Sequence, residues 1–265
     1  VTTSQIEPGG RVSLDRALIA DYVTGSTAVS VSFSRLRGLD PAPLLESLYR
    51  YPYGCSEQLT SSALPLLYIN DLGAEAGRKP EYEVRPRVQD AINQILNRQG
   101  ADGAFGLWRE GDTSGSPWLG VYVTDFLYRA KEEGYGVPQE ALDRAYDALA
   151  KIAKTDSWVY IGYHMQAYEG PWSNDTTDQL RKRSAAYALY VLARAGRADL
   201  SDLRYFHDAL LDNVKSPLAK AHIGGALAMF GDRARSLSAF NKAIAALGYA
   251  NTGDYYPVSY THLTL

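Results

Sequence analysis

The strongest constraint on the fold is a helical hydrophobic period that starts near Asp40 and continues almost to the end of the chain. Apolar residues recur at spacings of three and four, which indicates amphipathic helices with one face to bury. Seven such stripes begin at Val88, Leu119, Leu142, Leu180, Leu203, Leu218 and Leu237. Gly and Pro punctuate them, so we predict antiparallel helix hairpins in series, forming a solenoid or a closed toroid.

The first 36 residues follow a different pattern. Val29, Val31 and Phe33 alternate with serines, which is the period of β-strands with one buried face. Two or three strands are too few to bury a core, so we expect residues 1–36 to complete a sheet elsewhere in a longer protein. The tail, residues 253–265, loses the helical period. Its last eight residues resemble sequencing-adaptor read-through, and we expect an irregular, non-native end.

Composition excludes several classes of partner. The chain has 265 residues, 46% of them hydrophobic, and a formal net charge of −3 with scattered basic residues. We therefore expect no nucleic-acid partner. The apolar runs are too short for a membrane span. No basic start precedes an apolar segment, so the chain either lacks a secretory signal or is an internal fragment, which we favour.

The only cysteine lies in the segment Tyr-Pro-Tyr-Gly-Cys-Ser-Glu-Gln, residues 51–58. Pro52 and Gly54 end the preceding helix, which predicts that Cys55 opens the next one. Free backbone N–H groups and the helix dipole favour a thiolate at such a position. Cys55 is therefore the first candidate for a reactive group.

Gln58 follows Cys55 by three residues, and residues at this spacing are neighbours on one helical turn. Attack of the thiol on the carboxamide, with loss of ammonia, would give a cyclic thioester. Such a bond needs protection from water, and Tyr51 and Tyr53 are the aromatic residues placed to supply it. Glu57 either belongs to this chemistry or only favours the helix dipole as a first-turn acid.

The segment Pro-Tyr-Gly-Cys-Ser-Glu-Gln resembles the thioester motif of the alpha-2-macroglobulin and complement family, Pro-Tyr-Gly-Cys-Gly-Glu-Gln. Tyr51 and the Ala-Leu-Pro-Leu-Leu-Tyr run at 63–68 resemble the bacterial branch. The stretch Gln-Gly-Ala-Asp-Gly-Ala-Phe-Gly-Leu-Trp at 99–108 extends the resemblance, which covers roughly residues 36–250. Ser56 departs from the glycine of animal members.

The resemblance implies a mainly α fold, an α/α toroid like that of terpenoid cyclases and prenyltransferases, over residues 37–252. Residues 1–36 would be strands of a flanking, CUB-like β-sandwich. The implied function is a single-use covalent trap and endopeptidase inhibitor rather than an enzyme. After a protease cleaves a bait region, a protease amine attacks the thioester, Gln58 joins the prey and Cys55 is freed.

The implied partners are proteases as covalent prey and the neighbouring macroglobulin domains of the full-length protein. The bacterial branch further implies a periplasmic or cell-envelope location, as an inner-membrane lipoprotein of a Gram-negative bacterium. A peptidoglycan synthase is a further implied partner. No metal or other cofactor is expected, because the Cys55–Gln58 thioester is internal to the chain.

Other functions stay open from the residues alone. Some animal relatives carry a histidine somewhat over a hundred residues after the cysteine, and His164 lies at that distance, although its surroundings match poorly. Cys55 and His164 would alternatively form a cysteine hydrolase or acyltransferase dyad with repeated turnover. The Asp-rich motifs of terpene cyclases are absent from the sequence. A toroid with an inert cysteine, acting only as an interaction module, is the remaining alternative.

Overall fold

The computed structural model describes residues 6, 9–13, 17, 20–22, 54–68, 84–112, 117–154 and 174–250. At 174–177 and 248–250 the description covers the backbone alone. This part of the chain is mainly helical. Its α-helices are α1 Ser56–Ala63, α2 Val84–Leu96, α3 Pro117–Glu132, α4 Gln139–Ala153, α5 Asn174–Arg194, α6 Leu200–Tyr205, α7 Pro217–Met229 and α8 Arg233–Ala250.

The helices pack mainly against their neighbours in the chain. Contacts join α3 to α4, α4 to α5 and α7 to α8, whereas α1 packs against both α2 and α3. Helix α5 also contacts α3 and α7 and is the centre of this arrangement. These contacts place α1, which carries the cysteine at its start, against α2 and α3.

Two apolar clusters form the core, and α5 contributes to both. One face of α5, with Ala188, Val191 and Leu192, packs into a cluster supplied by α1 to α4. Another face, with Ala185 and Leu189, packs into a cluster supplied by α6, α7 and α8. Because this helix is buried on two sides, it connects the half of the core that supports the cysteine to the other half.

The stripes predicted for α2, α3 and α4 are confirmed. Val88, Ile92 and Ile95 of α2 are fully buried, as are Phe126 of α3 and Ala145 of α4. The alternating residues of the predicted N-terminal strands at 29–33 and the tail at 253–265 lie outside the described residues. The strands, the tail and closure of the helices into a toroid stay predictions.

The buried face predicted for α8 is wrong, and the face predicted for α7 is only partly right, because its Ala226 is fully buried. Leu218, Leu237 and Ile244 are more than half exposed, and small residues such as Gly224 and Ala239 are buried instead. The ring of Phe240 lies against Gly224, so that a Cβ there would come within 3.1 Å of it. Small side chains let α7 and α8 approach closely, and this approach decides which faces meet.

The segment predicted as one amphipathic helix from Leu203 also differs. After α6, the chain widens into a π-helical turn at Phe206–Leu210 and then tightens into a 3-10 turn at Leu211–Asn213. The wide turn adds a residue, which brings Phe206 and Leu211 to the same buried side, five positions apart. The predicted stripe comprised Leu203, Phe206, Leu210 and Leu211, and all of these are buried except Leu210, which is only partly buried.

Candidate functional site

Cys55 is the N-cap residue of α1. Its backbone is extended, with φ −62° and ψ 168°, and its carbonyl accepts the first helical hydrogen bond from Leu59 N–H at 3.0 Å. The side chain is only 7% exposed. The single thiol of the chain therefore lies at the start of a helix, as Pro52 and Gly54 predicted. It is also shielded from solvent.

Gln58 folds back over this helix start. Its Oε1 accepts a hydrogen bond of 3.1 Å from the backbone N–H of Cys55, and its own backbone N–H faces the Cys55 side chain. This reciprocal arrangement is a capping box in which cysteine takes the position usually held by Ser or Thr, whereas glutamine is a usual residue at the other position. The carboxamide is thereby held on the same turn as the thiol.

A hairpin-like turn between α2 and α3 supports the cysteine from outside α1. The turn is closed by a bridge between Gln99 and Phe105, and Phe105 is 1% exposed. At the C-terminal end of this turn, the Leu107 carbonyl accepts a hydrogen bond of 2.7 Å from Ser56 N–H. The Gly106 carbonyl accepts another, of 2.6 Å, from the buried Ser56 hydroxyl. The serine at this position is therefore a tether between the motif and the turn.

Arg98, the last residue before the turn, contacts the same segment. Its guanidinium donates to the Gly54 carbonyl at 2.9 Å, to the Leu107 carbonyl at 3.1 Å and to Ser56 Oγ at 3.3 Å. Burial lowers the pKa of Arg98, and the negative charge of a Cys55 thiolate opposes that shift. The guanidinium thus lies close enough to the thiol to interact with it electrostatically.

Glu57 belongs to a short chain of hydrogen bonds. Its carboxylate is 9% exposed and accepts a hydrogen bond of 2.7 Å from Ser61 Oγ. Because the Ser61 proton is used there, the Tyr122 hydroxyl at 3.1 Å donates to Ser61. Burial, above all, raises the pKa of Tyr122, whose ring stacks on Trp118. This chain ties α1 to α3.

The structure brings together Cys55, Glu57 and Gln58 on one helical turn. Tyr51 and Tyr53, predicted to shield the thioester, lie outside the described residues, as does His164. Their roles stay predictions. Sequence reasoning missed Arg98, which immediately precedes the 99–108 stretch that carries part of the family resemblance. That adjacency was the only available signal for it.

The described residues contain no group of three or more His, Cys, Asp and Glu side chains that could hold a metal ion. Within the same ranges, none of the helices combines the length and apolar character needed to cross a bilayer.

A mainly helical fold with a Cys-x-x-Gln pair at a helix N-terminus defines the class, a helical domain of the thioester-motif type. Comparison with known proteins agrees with this. The model of the A-macroglobulin TED domain matches residues 28–162. The alpha-2-macroglobulin of Xylella fastidiosa strain Temecula1 is 29% identical over 239 residues, 88% of this chain and 14% of that protein. The Escherichia coli K12 alpha-2-macroglobulin is 34% identical over 78% of this chain and 12% of its own length.

Solved structures are similar over the same region. Native E. coli alpha-2-macroglobulin, from domain MG7 to the C-terminus, superposes with a TM-score of 0.65 and 30% identity over 77% of this chain and 30% of that one. Salmonella alpha-2-macroglobulin reacted with methylamine superposes with a TM-score of 0.63 and 33% identity, over 77% of this chain and 13% of that one. The chain belongs to the alpha-2-macroglobulin family, and it spans about one seventh of the length of the curated relatives named here.

Proposed function

We propose that Cys55 Sγ and the Gln58 carboxamide carbon form an internal thioester, and that this bond acylates an amine of an attacking protease once. The observation that carries the proposal is the hydrogen bond from Cys55 N–H to Gln58 Oε1. It folds the carboxamide back toward the residue that supplies the sulfur, so ring closure needs little further movement of either side chain.

The same hydrogen bond favours the chemistry of both steps. When the thiol attacks the carboxamide carbon, negative charge develops on Oε1, and the Cys55 N–H that already points at this oxygen stabilises it. The thiol proton passes to the amide nitrogen, the carbon–nitrogen bond breaks and ammonia leaves. In aminolysis, the charge develops on the same oxygen, and the carbon–sulfur bond breaks instead. One donor therefore serves formation and reaction.

The relatives support the kind of nucleophile and trigger. One solved relative is Salmonella alpha-2-macroglobulin reacted with methylamine, and another is E. coli alpha-2-macroglobulin activated by trypsin. In the proposal, this chain likewise reacts with primary amines, and neighbouring macroglobulin domains control access to the bond in the full-length protein. Since Cys55 is already buried within this domain, those domains would add to an existing shield.

A stoichiometry experiment tests the single-use character. The purified chain is incubated with excess fluorescent primary amine, and the label bound per molecule is followed until it stops changing. We expect incorporation to approach one label per chain, located at Gln58 by peptide mapping, and none in Cys55→Ala. Amide or ester product formed in many-fold excess over protein, with Gln58 unmodified, would instead support the hydrolase or acyltransferase alternative. No incorporation at all would leave the inert interaction module.

We also propose that the full-length protein resides in the periplasm or cell envelope, which the bacterial relatives motivate. Osmotic-shock fractionation of the native host, with detection by an antibody against this domain, measures the location directly. Recovery of the protein in the cytosolic fraction would contradict the proposal.

A further inference from the structure

We propose that Arg98 is a positioning residue of the thioester site, holding the cysteine segment and placing a positive charge beside the thiolate that leaves during acylation. This inference depends on the proposed thioester. It concerns a residue outside the Cys-Ser-Glu-Gln motif, on the turn that follows α2.

Arg98 contacts the residues on both sides of Cys55. Its guanidinium binds the carbonyl of Gly54, just before Cys55, and the hydroxyl of Ser56, just after it. A further bond to the Leu107 carbonyl, which also accepts from Ser56 N–H, fixes the guanidinium to the turn. A rigid planar fork of donors is suited to such a multipoint contact.

Among the described residues, the guanidinium of Arg98 lacks a carboxylate partner. Within the described ranges, the hydrogen bonds of Arg98 go to two carbonyls and a hydroxyl, with no carboxylate among the acceptors. Arg129 and Arg194, by contrast, both pair with Asp125. A partly buried guanidinium stays protonated and is most stable when an anion is close. The anion that this chemistry generates beside Arg98 is the Cys55 thiolate.

The charge acts at one step of the reaction. An amine nitrogen attacks the acyl carbon of Gln58, and the carbon–sulfur bond breaks with its electron pair remaining on Cys55 sulfur. The proton lost by the amine ends on that sulfur or in solvent. A fixed positive charge near the sulfur lowers the energy of this departure more than that of the uncharged thioester, and therefore increases the rate.

The test compares Arg98→Gln, which removes the charge, with Arg98→Lys, which keeps it but loses the fork. Arg144→Gln is the matched control, because Arg144 braces the same turn through Gln99 and has no hydrogen bond to the cysteine segment among the described residues. Thioester content is measured by intact mass, the rate of methylamine reaction by release of the Cys55 thiol, and folding by circular dichroism and thermal midpoint.

We expect Arg98→Gln to slow aminolysis by about tenfold or more, because one fixed charge acting in a partly buried site contributes at least this much. Arg98→Lys should react within about threefold of the wild-type rate, even if its thermal midpoint falls as far as that of Arg98→Gln. The reason is that the positive charge, rather than the planar fork of donors, acts on the leaving sulfur. Arg144→Gln should react at the wild-type rate.

A wild-type rate in Arg98→Gln would overturn the proposal, and so would equal slowing in Arg98→Gln and Arg98→Lys, which is the result of a merely structural role. If Arg98→Gln fails to fold, the test rests on Arg98→Lys alone. A folded Arg98→Lys chain that reacts about tenfold more slowly than wild type overturns the proposal, and one that reacts near the wild-type rate supports it. A wild-type chain that never carries a thioester is a failure of the proposed function instead, and the mass measurement separates the two.

Discussion

The backbone N–H of Cys55 donates to Oε1 of Gln58 across 3.1 Å, so the two residues of the proposed bond are already joined at the first turn of α1. A glutamine in this position normally only caps a helix. Here the N-cap residue carries a thiol, and the cap therefore presents an electrophilic carbon to a nucleophile. Local helix-capping chemistry and the proposed covalent chemistry use the same geometry.

Asp125 is a buried charge that joins helices α3 and α5. Its carboxylate is 2% exposed and accepts hydrogen bonds from Arg129, Arg194 and the Tyr187 hydroxyl, the last at 2.7 Å. Asp125→Ala leaves two arginines without their partner in a partly buried site, so we expect a loss of about 3 to 5 kcal/mol in the free energy of unfolding. Urea denaturation followed by circular dichroism measures it.

The matched control is Asp143→Ala, which removes an exposed aspartate paired with Arg197. An exposed ion pair contributes little, so the free energy of unfolding should change by no more than about 1 kcal/mol. Equal costs for the two aspartates would show that burial does not decide the contribution of Asp125.

His222 makes stability depend on acid pH. Its ring stacks against Tyr187 and Tyr190, at centroid distances of 4.6 and 5.1 Å, and burial lowers its pKa from 6.5 to about 4. The unfolded chain binds a proton below pH 6.5, whereas the folded chain resists it down to about pH 4. Stability from this residue is therefore full above pH 6.5 and is lost as the pH falls toward 4.

We expect protonation of His222 to lower the free energy of unfolding by up to about 3 kcal/mol between pH 6.5 and 4. His222→Phe keeps an aromatic ring and removes the proton site, so its unfolding free energy should decline less steeply between pH 6.5 and 4 than that of the wild type. Urea titrations at several pH values measure both slopes. Parallel slopes in the two proteins would exclude His222 as the source.

Gly103 is fixed by space as well as by backbone conformation. Its φ is +84°, and a Cβ there would lie 2.0 Å from the Arg144 carbonyl oxygen of α4. Gly196 has a similar φ of +68° but nothing within 4 Å of its Cβ position. Gly196→Ala should cost about 1 kcal/mol through its backbone alone, and Gly103→Ala about 3 kcal/mol or more, because α4 must also move.

Thermal and urea unfolding of the two glycine variants measure this difference. The turn that contains Gly103 also carries the carbonyls that hold Ser56, so Gly103→Ala should in addition reduce the fraction of chains that form the thioester. If both variants lose the same stability, the close approach of the turn to α4 is unimportant.

The helices around the cysteine were predictable because large apolar residues decide their buried faces. Val88, Ile92 and Phe126 fall on regular helical stripes, and each is fully buried. The same rule failed for α8, where Ala239 is buried and Leu237 and Ile244 are exposed. It held only in part for α7, where Ala226 is buried as predicted but Leu218 is exposed. Hydrophobic period identifies a helix reliably, but the contacting face also depends on how closely two backbones can approach.

The candidate site was predictable only in its local part. Spacing alone placed Cys55 and Gln58 on one turn, since a helix fixes the relation between positions three apart. The supporting contacts of Arg98 and Leu107 cross more than forty residues of sequence, and no periodicity reports such a contact. They depend on the way the turn after α2 folds back onto the start of α1.

The most direct test of the central claim is the intact mass of the freshly purified chain, before and after methylamine, together with titration of the single Cys55 thiol. We expect a mass short by one ammonia and no free thiol before treatment. After methylamine we expect one added methylamine and one free thiol per chain. A full mass with a free thiol and an intact Gln58 at the outset would contradict it.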